Sequence, residues 1–149
     1  MTTTQERLQV CQQCQSLCCR LVLPLVTQKE RNKILDEGYN NSFIKIDNGI
    51  YKINSDEQKK CPYLTHNYTC EIHHLKPTLC RIWPVIPYNK KKKRGCIVIK
   101  CPLYSHLTKE MIQQAKKEAE TIPDTVIHHL WNIPQEIKKK YKIFEYEEI

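Results

Sequence analysis

The sequence predicts a small α+β domain in which short helices and one or two β-hairpins pack around a cysteine-bound metal centre. Three observations carry that reading. Nine cysteines run from one end of the chain to beyond its middle: Cys11, Cys14, Cys18, Cys19, Cys61, Cys70, Cys80, Cys96 and Cys101. Two β-prone runs in residues 43–53 flank Asn48-Gly49, which is hairpin chemistry. Helical patterns begin after Thr27 and Thr108.

At 149 residues, 40% of them hydrophobic, the chain fits one domain, 1–149, with a modest core that metals or cross-links would help to hold. The longest apolar runs, Leu21–Val26 and Ile97–Ile99, fall far short of the roughly 20 residues a membrane span needs. No basic start leads into an apolar run, so the expectation is a cytoplasmic protein. In that compartment a cysteine-rich pattern reads first as metal-binding or catalytic, and an odd number of thiols fits a full disulfide set poorly. The formal charge of +8 attracts nucleic acid, anionic lipid or an acidic protein partner.

Taken in order, residues 4–20 read as a helix that delivers the first cysteines. Leu8, Cys11, Cys14 and Cys18 fall roughly on one side of it. Leu21–Val26 reads as a buried extended connector, since Pro24 disfavours helix. Thr27-Gln-Lys-Glu30 has capping-box spacing and opens a helix that runs to Glu37 and stops at Gly38. Residues 43–53 follow as a hairpin with a type I′ turn at Asn48-Gly49. Ser55–Lys60 is a polar linker, and Cys61 and Cys70 bracket a loop. Lys76–Pro84 gives one or two helical turns, opened at Pro77 and closed by Pro84. Val85–Tyr88 pairs with Cys96–Lys100 as a second hairpin whose charged tip is Asn89–Gly95. The rest, 108–142, is a helical extension: Thr108–Glu120, Asp124–Leu130 and Pro134–Tyr141. Glu145–Ile149 reads as a loose acidic end. No internal repeat and no second domain are evident.

The chemistry lies in the thiols. Thiolates are soft anionic donors suited to zinc or to iron in clusters. Structural zinc takes four ligands, and an ordinary [4Fe–4S] cluster takes four cysteines. Cys11 and Cys14 have the spacing that lets two thiols reach one ion from a short turn. Adjacent Cys18 and Cys19 cannot both turn toward one centre without strain. Nine thiols allow two four-ligand centres with one left over, or one centre with five further thiols. His73, three residues after Cys70, has a workable ligand spacing.

These residues resemble a known pattern. Cys11-x2-Cys14-x3-Cys18-Cys19, Cys61-Pro-Tyr-Leu, Cys70-Glu-Ile-His and Lys76-Pro-Thr-Leu-Cys80-Arg-Ile-Trp-Pro84 are similar to the motifs of the YkgJ-like CxxCxxCC cysteine-cluster family. The resemblance runs from 11 to 101. It departs from the family pattern at Lys76, at Trp83 and by one extra residue in the first block. It implies chelation of zinc or iron by the nine cysteines. It also favours Arg81, beside Cys80, as a cofactor-binding cation that offsets the negative charge of a thiolate centre.

Lys90, Lys91, Lys92, Lys93 and Arg94 form the strongest basic run, with Lys138–Lys140 a second, and such runs can contact phosphates of RNA or DNA. The leading expectation is a metal-chelating protein that binds an iron–sulfur cluster, zinc, or both, with at least a structural role for the metal. One alternative is a basic, zinc-stapled accessory protein of RNA or a ribonucleoprotein. Another is an iron–sulfur redox or modifying enzyme. No nucleophile elbow, phosphate loop or HExxH motif occurs, so no catalytic residue is assigned.

Overall fold

The computed structural model describes residues 9, 10, 12, 24–54, 60–131 and 146–149. Within them it is α+β: two three-stranded antiparallel sheets and four short helices. Gln9, Val10 and Gln12 are helical, and Val10 is buried in the larger core. The rest of the helix expected over 4–20, with Cys11, Cys14, Cys18 and Cys19, lies outside the described residues. So do most of the 55–60 linker, the helix expected over 134–141 and the Lys138–Lys140 run.

The first sheet is built around the capping box. Strand β1 (Leu25–Thr27) ends on Thr27, whose side chain accepts the Glu30 amide as α1 (Gln28–Asp36) begins. The Glu30 side chain returns a bond to the Thr27 amide at 3.0 Å. Gly38 leaves the helix at φ 93°, a left-handed conformation that glycine adopts at little cost. The segment expected as a connector is thus partly a strand, and β1 pairs with the first hairpin. That hairpin is β2 (Phe43–Asp47) and β3 (Ile50–Ile53), as its sequence pattern requires. Its turn is not type I′. Only Gly49 has positive φ, at 72°, and the register shifts between Lys45 and Asp47. Asp47 Oδ1 accepts the Asn48 amide at 2.7 Å, and a bulge takes up the extra residue.

The second sheet has the order β4 (Val85–Lys90), β5 (Lys93–Ile99), β6 (Tyr146–Glu148). Two expectations are corrected here. The charged tip is shorter than Asn89–Gly95, because the ladder continues through Asn89↔Arg94 and Lys90↔Lys93 and leaves a two-residue turn at Lys91-Lys92. The acidic end is not loose. Glu147 and Glu148 pair with Val98 and Ile97. Glu147 is fixed by Tyr104 Oη at 2.7 Å and by Lys100 at 3.6 Å. Cys96–Ile99 is buried at four consecutive positions, so β5 is covered on both faces.

Helices α2 (Thr78–Arg81), α3 (Lys109–Ala119) and α4 (Asp124–Trp131) complete the fold. Both α3 and α4 pack on β4. The apolar side chains form two clusters. The larger includes Val85, Ile97–Ile99, Leu103, Ala119, Ile122 and Ile127, and the smaller is Val26, Ile34, Ile53, Cys61, Tyr63, Leu64 and Ile72. Strand β1 lies between them, with Leu25 against one and Val26 inside the other. His129 of α4 meets Asp47 of the first hairpin at 2.9 Å, a second link between the halves. The His129 bond, with the Asn48 amide, holds the Asp47 carboxyl below its ordinary range. No helix among the described residues is long and apolar enough to cross a membrane.

Arg94 fastens the second hairpin to the helices. It donates to Asn89 Oδ1 at 2.9 Å, to the Ala119 carbonyl at 2.7 Å, to the Ile122 carbonyl at 3.0 Å and to Asp124. The Ala119 carbonyl, at the α3 C-terminus, also accepts the Ile122 amide at 3.2 Å, and the Ile122 carbonyl lies just beyond the helix. Arg94→Leu is expected to cost about 2–3 kcal/mol, since charge-assisted bonds are lost and the Ile122 carbonyl loses its donor. Arg94→Lys should recover little of this, because an ammonium cannot span the same acceptors. Urea unfolding of the three proteins measures both.

Candidate metal centre

The five cysteines among the described residues occupy three kinds of position. Cys61, Cys70 and Cys101 each open a reverse turn. The Leu64 amide donates to the Cys61 carbonyl at 3.1 Å, His73 to Cys70 at 3.2 Å and Tyr104 to Cys101 at 2.8 Å. Cys61 and Cys101 are buried, and Cys70 is half-buried. Cys80 sits half-buried inside α2. Cys96 lies in the middle of β5, opposite Pro87, within the larger core.

Cys61 and Cys70 stand at the base of one small loop. Leu64 and Cys70 form an antiparallel bridge, and the Glu71 amide donates to the Tyr63 carbonyl at 2.7 Å. Above them Thr65 and Thr69 share a backbone bond of 2.8 Å and a hydroxyl contact of 2.7 Å. The Tyr63 ring closes one side. It is 3% exposed, packs edge-on to Tyr39 and donates its hydroxyl to the Asn40 carbonyl at 2.7 Å. Burial is the main reason its hydroxyl is pushed above the ordinary tyrosine range.

Cys70 and Cys101 lead into the same backbone. After each thiol comes one residue, then a buried apolar side chain, Ile72 or Leu103. A one-turn 3-10 helix follows, His73–Leu75 or Tyr104–His106, closed by a bond from Leu75 to Ile72 at 2.8 Å or from His106 to Leu103 at 3.0 Å. An extended residue comes next, Lys76 (ψ 133°) or Leu107 (ψ 132°), and one residue later α2 or α3 begins. The two stretches share little beyond the cysteine, so this repetition is legible in the backbone and not in the letters.

Helix α2 has no side-chain cap of its own, because its N-cap is Pro77. The missing acceptor comes from 48 residues away: the Thr78 amide donates to Glu30 Oε2 at 2.6 Å. One carboxylate therefore closes α1 through Oε1 and the Cys80 helix through Oε2. The capping-box pattern pointed to the first bond. Nothing in the sequence pointed to the second.

The structure places Arg81 on the outer side of α2. It reaches Glu118 Oε1 at 3.3 Å, the Lys76 carbonyl at 3.1 Å and Thr78 Oγ1 at 3.2 Å, so its donors join α2 to α3. Its side chain is 51% exposed, and an ion pair so open contributes at most about 1 kcal/mol. Lys90–Lys93 are exposed at the far end of the second hairpin, whose strand β5 carries Cys96 deep in the core. Burial pushes the Cys96 thiol up, against the smaller pull of Lys116 and Arg94.

Among the described residues, no three His, Cys, Asp or Glu side chains come together as a metal site. What the structure does show is three soft donors that each open a turn, two of them leading into one backbone form. Chelation of a metal ion is the chemistry such donors serve. The chain belongs to the CxxCxxCC family, described as a "putative zinc- or iron-chelating domain", whose pattern matches residues 10–124. The match extends past Cys101 through α3. No curated protein and no solved structure matches the chain.

Glu30→Ala should destabilise the fold by about 2–3 kcal/mol, the sum of the lost bond to the Thr27 amide and an unpaired Thr78 amide. Thr27→Ala removes only the α1 cap and should cost about 1 kcal/mol. Equal losses in urea unfolding would show that the bond to Thr78 contributes nothing.

Proposed function

We propose that the chain is a thiolate metal-chelating domain that holds zinc or an iron–sulfur cluster, with a metal whose first task is to fasten the fold. The observation that carries this reading is the placement of Cys61, Cys70 and Cys101, each at the start of a tight turn, the first two at the base of one loop and the third just beyond β5. Cys80 adds a fourth thiol from a helix that Glu30 holds in place. The donors are chemically right for zinc or iron. Since the described residues do not complete a site, the remaining ligands in this reading are Cys11, Cys14, Cys18 and Cys19. The metal then ties the N-terminal block to the central loop and to the end of β5, and its binding free energy is folding free energy. When bound, it supplies cross-linking that a small core lacks.

Cys96 is the ninth thiol, the one left over. Its place in the core of β5 is that of a small apolar side chain, and free cysteine behaves as one when buried. The eight others provide for two four-ligand centres or for one centre with thiols to spare.

Protein purified without oxygen, analysed for metal and acid-labile sulfide alongside an absorption spectrum, tests the proposal. Iron with sulfide and a brown colour marks a cluster, and colourless protein with stoichiometric zinc marks zinc. Folded protein holding neither would sink the reading. Removing the metal with a chelator should lower the melting temperature by several degrees or more. Cys96→Ala should keep the full metal content, whereas Cys61→Ala, Cys70→Ala or Cys101→Ala should each reduce it.

A further inference from the structure

The turn between β4 and β5 runs against its own backbone preference. Lys91 has φ 51° and Lys92 has φ 64°, and the flanking Lys90 and Lys93 pair directly. Two consecutive left-handed residues make a type I′ turn, for which Asn-Gly is the favoured pair. A non-glycine residue in this region costs about 1–2 kcal/mol. The other hairpin, which does contain Asn48-Gly49, needs only its glycine there. The two lysines therefore do not stabilise the turn they occupy.

Three features make the tip a presented surface. Lys90, Lys91, Lys92 and Lys93 are all exposed. None of them makes a salt bridge among the described residues. Arg94, the fifth charge of the run, is not part of this surface, because its guanidinium is engaged with Asn89, Asp124 and the α3 C-terminus and its side chain is only 20% exposed. The base below is stiff: the Tyr88 ring lies across Gly95, where an added Cβ would come within 2.5 Å of it.

We propose that this ribbon tip is a phosphate-contacting finger for the backbone of a nucleic acid. The reason lies in where exposed lysines gain binding free energy. Against carboxylates of an acidic protein, open ion pairs contribute at most about 1 kcal/mol each. A protein interface would also need an apolar centre. None of the exposed large apolar side chains, Ile44, Trp131 and Tyr146, is in the tip. Stable attachment to anionic lipid needs a second, apolar anchor, which the tip also lacks. A nucleic-acid backbone is different: each phosphate neutralised releases condensed counterions, so lysines alone suffice. A two-stranded ribbon also fits the major groove of a duplex. Lysines are point charges without the planar fork that reads base edges, so the contact is to backbone and not to sequence.

The test uses the full chain as purified. Binding of a labelled 20-nucleotide single-stranded RNA and of a duplex DNA is followed by anisotropy between 50 and 200 mM KCl. Four phosphate contacts predict a slope of about −3 in log affinity against log salt, a loss of about 50- to 150-fold across that range. The Lys90→Gln, Lys91→Gln, Lys92→Gln, Lys93→Gln protein should lose most of that slope for at least one of the two nucleic acids. A second protein, Lys91→Asn with Lys92→Gly, removes two charges while relieving the turn. It should unfold at higher urea than the parent yet bind nucleic acid more weakly, a split that misfolding cannot produce. An unchanged slope in the quadruple variant would overturn the proposal. So would binding by the tip to phosphatidylserine vesicles or to polyglutamate but to neither nucleic acid.

Discussion

A single carboxylate bonds at the start of a helix in each half of this protein. Glu30 lies in the helix that covers the smaller sheet, and Thr78 opens the helix that leads into the larger one. A helix as short as α2 has almost no stability of its own, because nucleation consumes what little hydrogen bonding it offers. It persists where it is held from outside. Glu30 holds its start, and Leu79 buries one side while Arg81 reaches α3 from the other. Cys80 is carried in the middle of that arrangement. Its position thus depends on contacts 37 and 48 residues away in sequence as well as on the local turn begun at Pro77.

Strand β5 imposes the second constraint. Four consecutive buried residues require cover on both faces and partners along both edges. The edges are filled by β4 and by the C-terminal β6, and helices α3 and α4 lie against β4. The strand ends at Ile99, so Cys101 emerges where the sheet stops and the chain turns toward α3. Cys70 reaches the same turn from a quite different start, a bridge with Leu64 instead of a strand. Two unlike supports lead into one backbone form.

What was legible in the sequence is what depends on local chemistry. Thr27 and Glu30 announced a capping box, Asn48-Gly49 a hairpin and Pro77 with Pro84 the limits of a short helix. The features that were not legible are those in which a distant group decides. Glu147 reads as one more charge in an acidic tail until Tyr104 and Lys100 are placed beside it. Arg94 reads as the end of a basic run until the carbonyls of Ala119 and Ile122 arrive at its guanidinium. The turn at Lys91-Lys92 could not be read from its residues, because those residues disfavour it. The cysteines announced metal chemistry, and the family bears that out at the level of zinc or iron. Residue type alone did not distinguish Cys96, whose burial in a central strand sets it apart from thiols that open turns.

These features bear on one another through stability. A domain of this size commonly holds a net stability of about 5–15 kcal/mol. Two left-handed lysines cost about 2–4 kcal/mol of it. A chain with 40% hydrophobic residues, divided between two cores, has little margin for such strain unless it is fastened elsewhere. Arg94 supplies a local fastening directly below the turn, joining both strands of the ribbon to α3 and α4. On the proposed reading the metal supplies the global one. A basic tip held against its backbone preference and a fold closed by thiolates are then two parts of one arrangement, in which metal ligation offsets the strain of a surface shaped for charge instead of for turn stability.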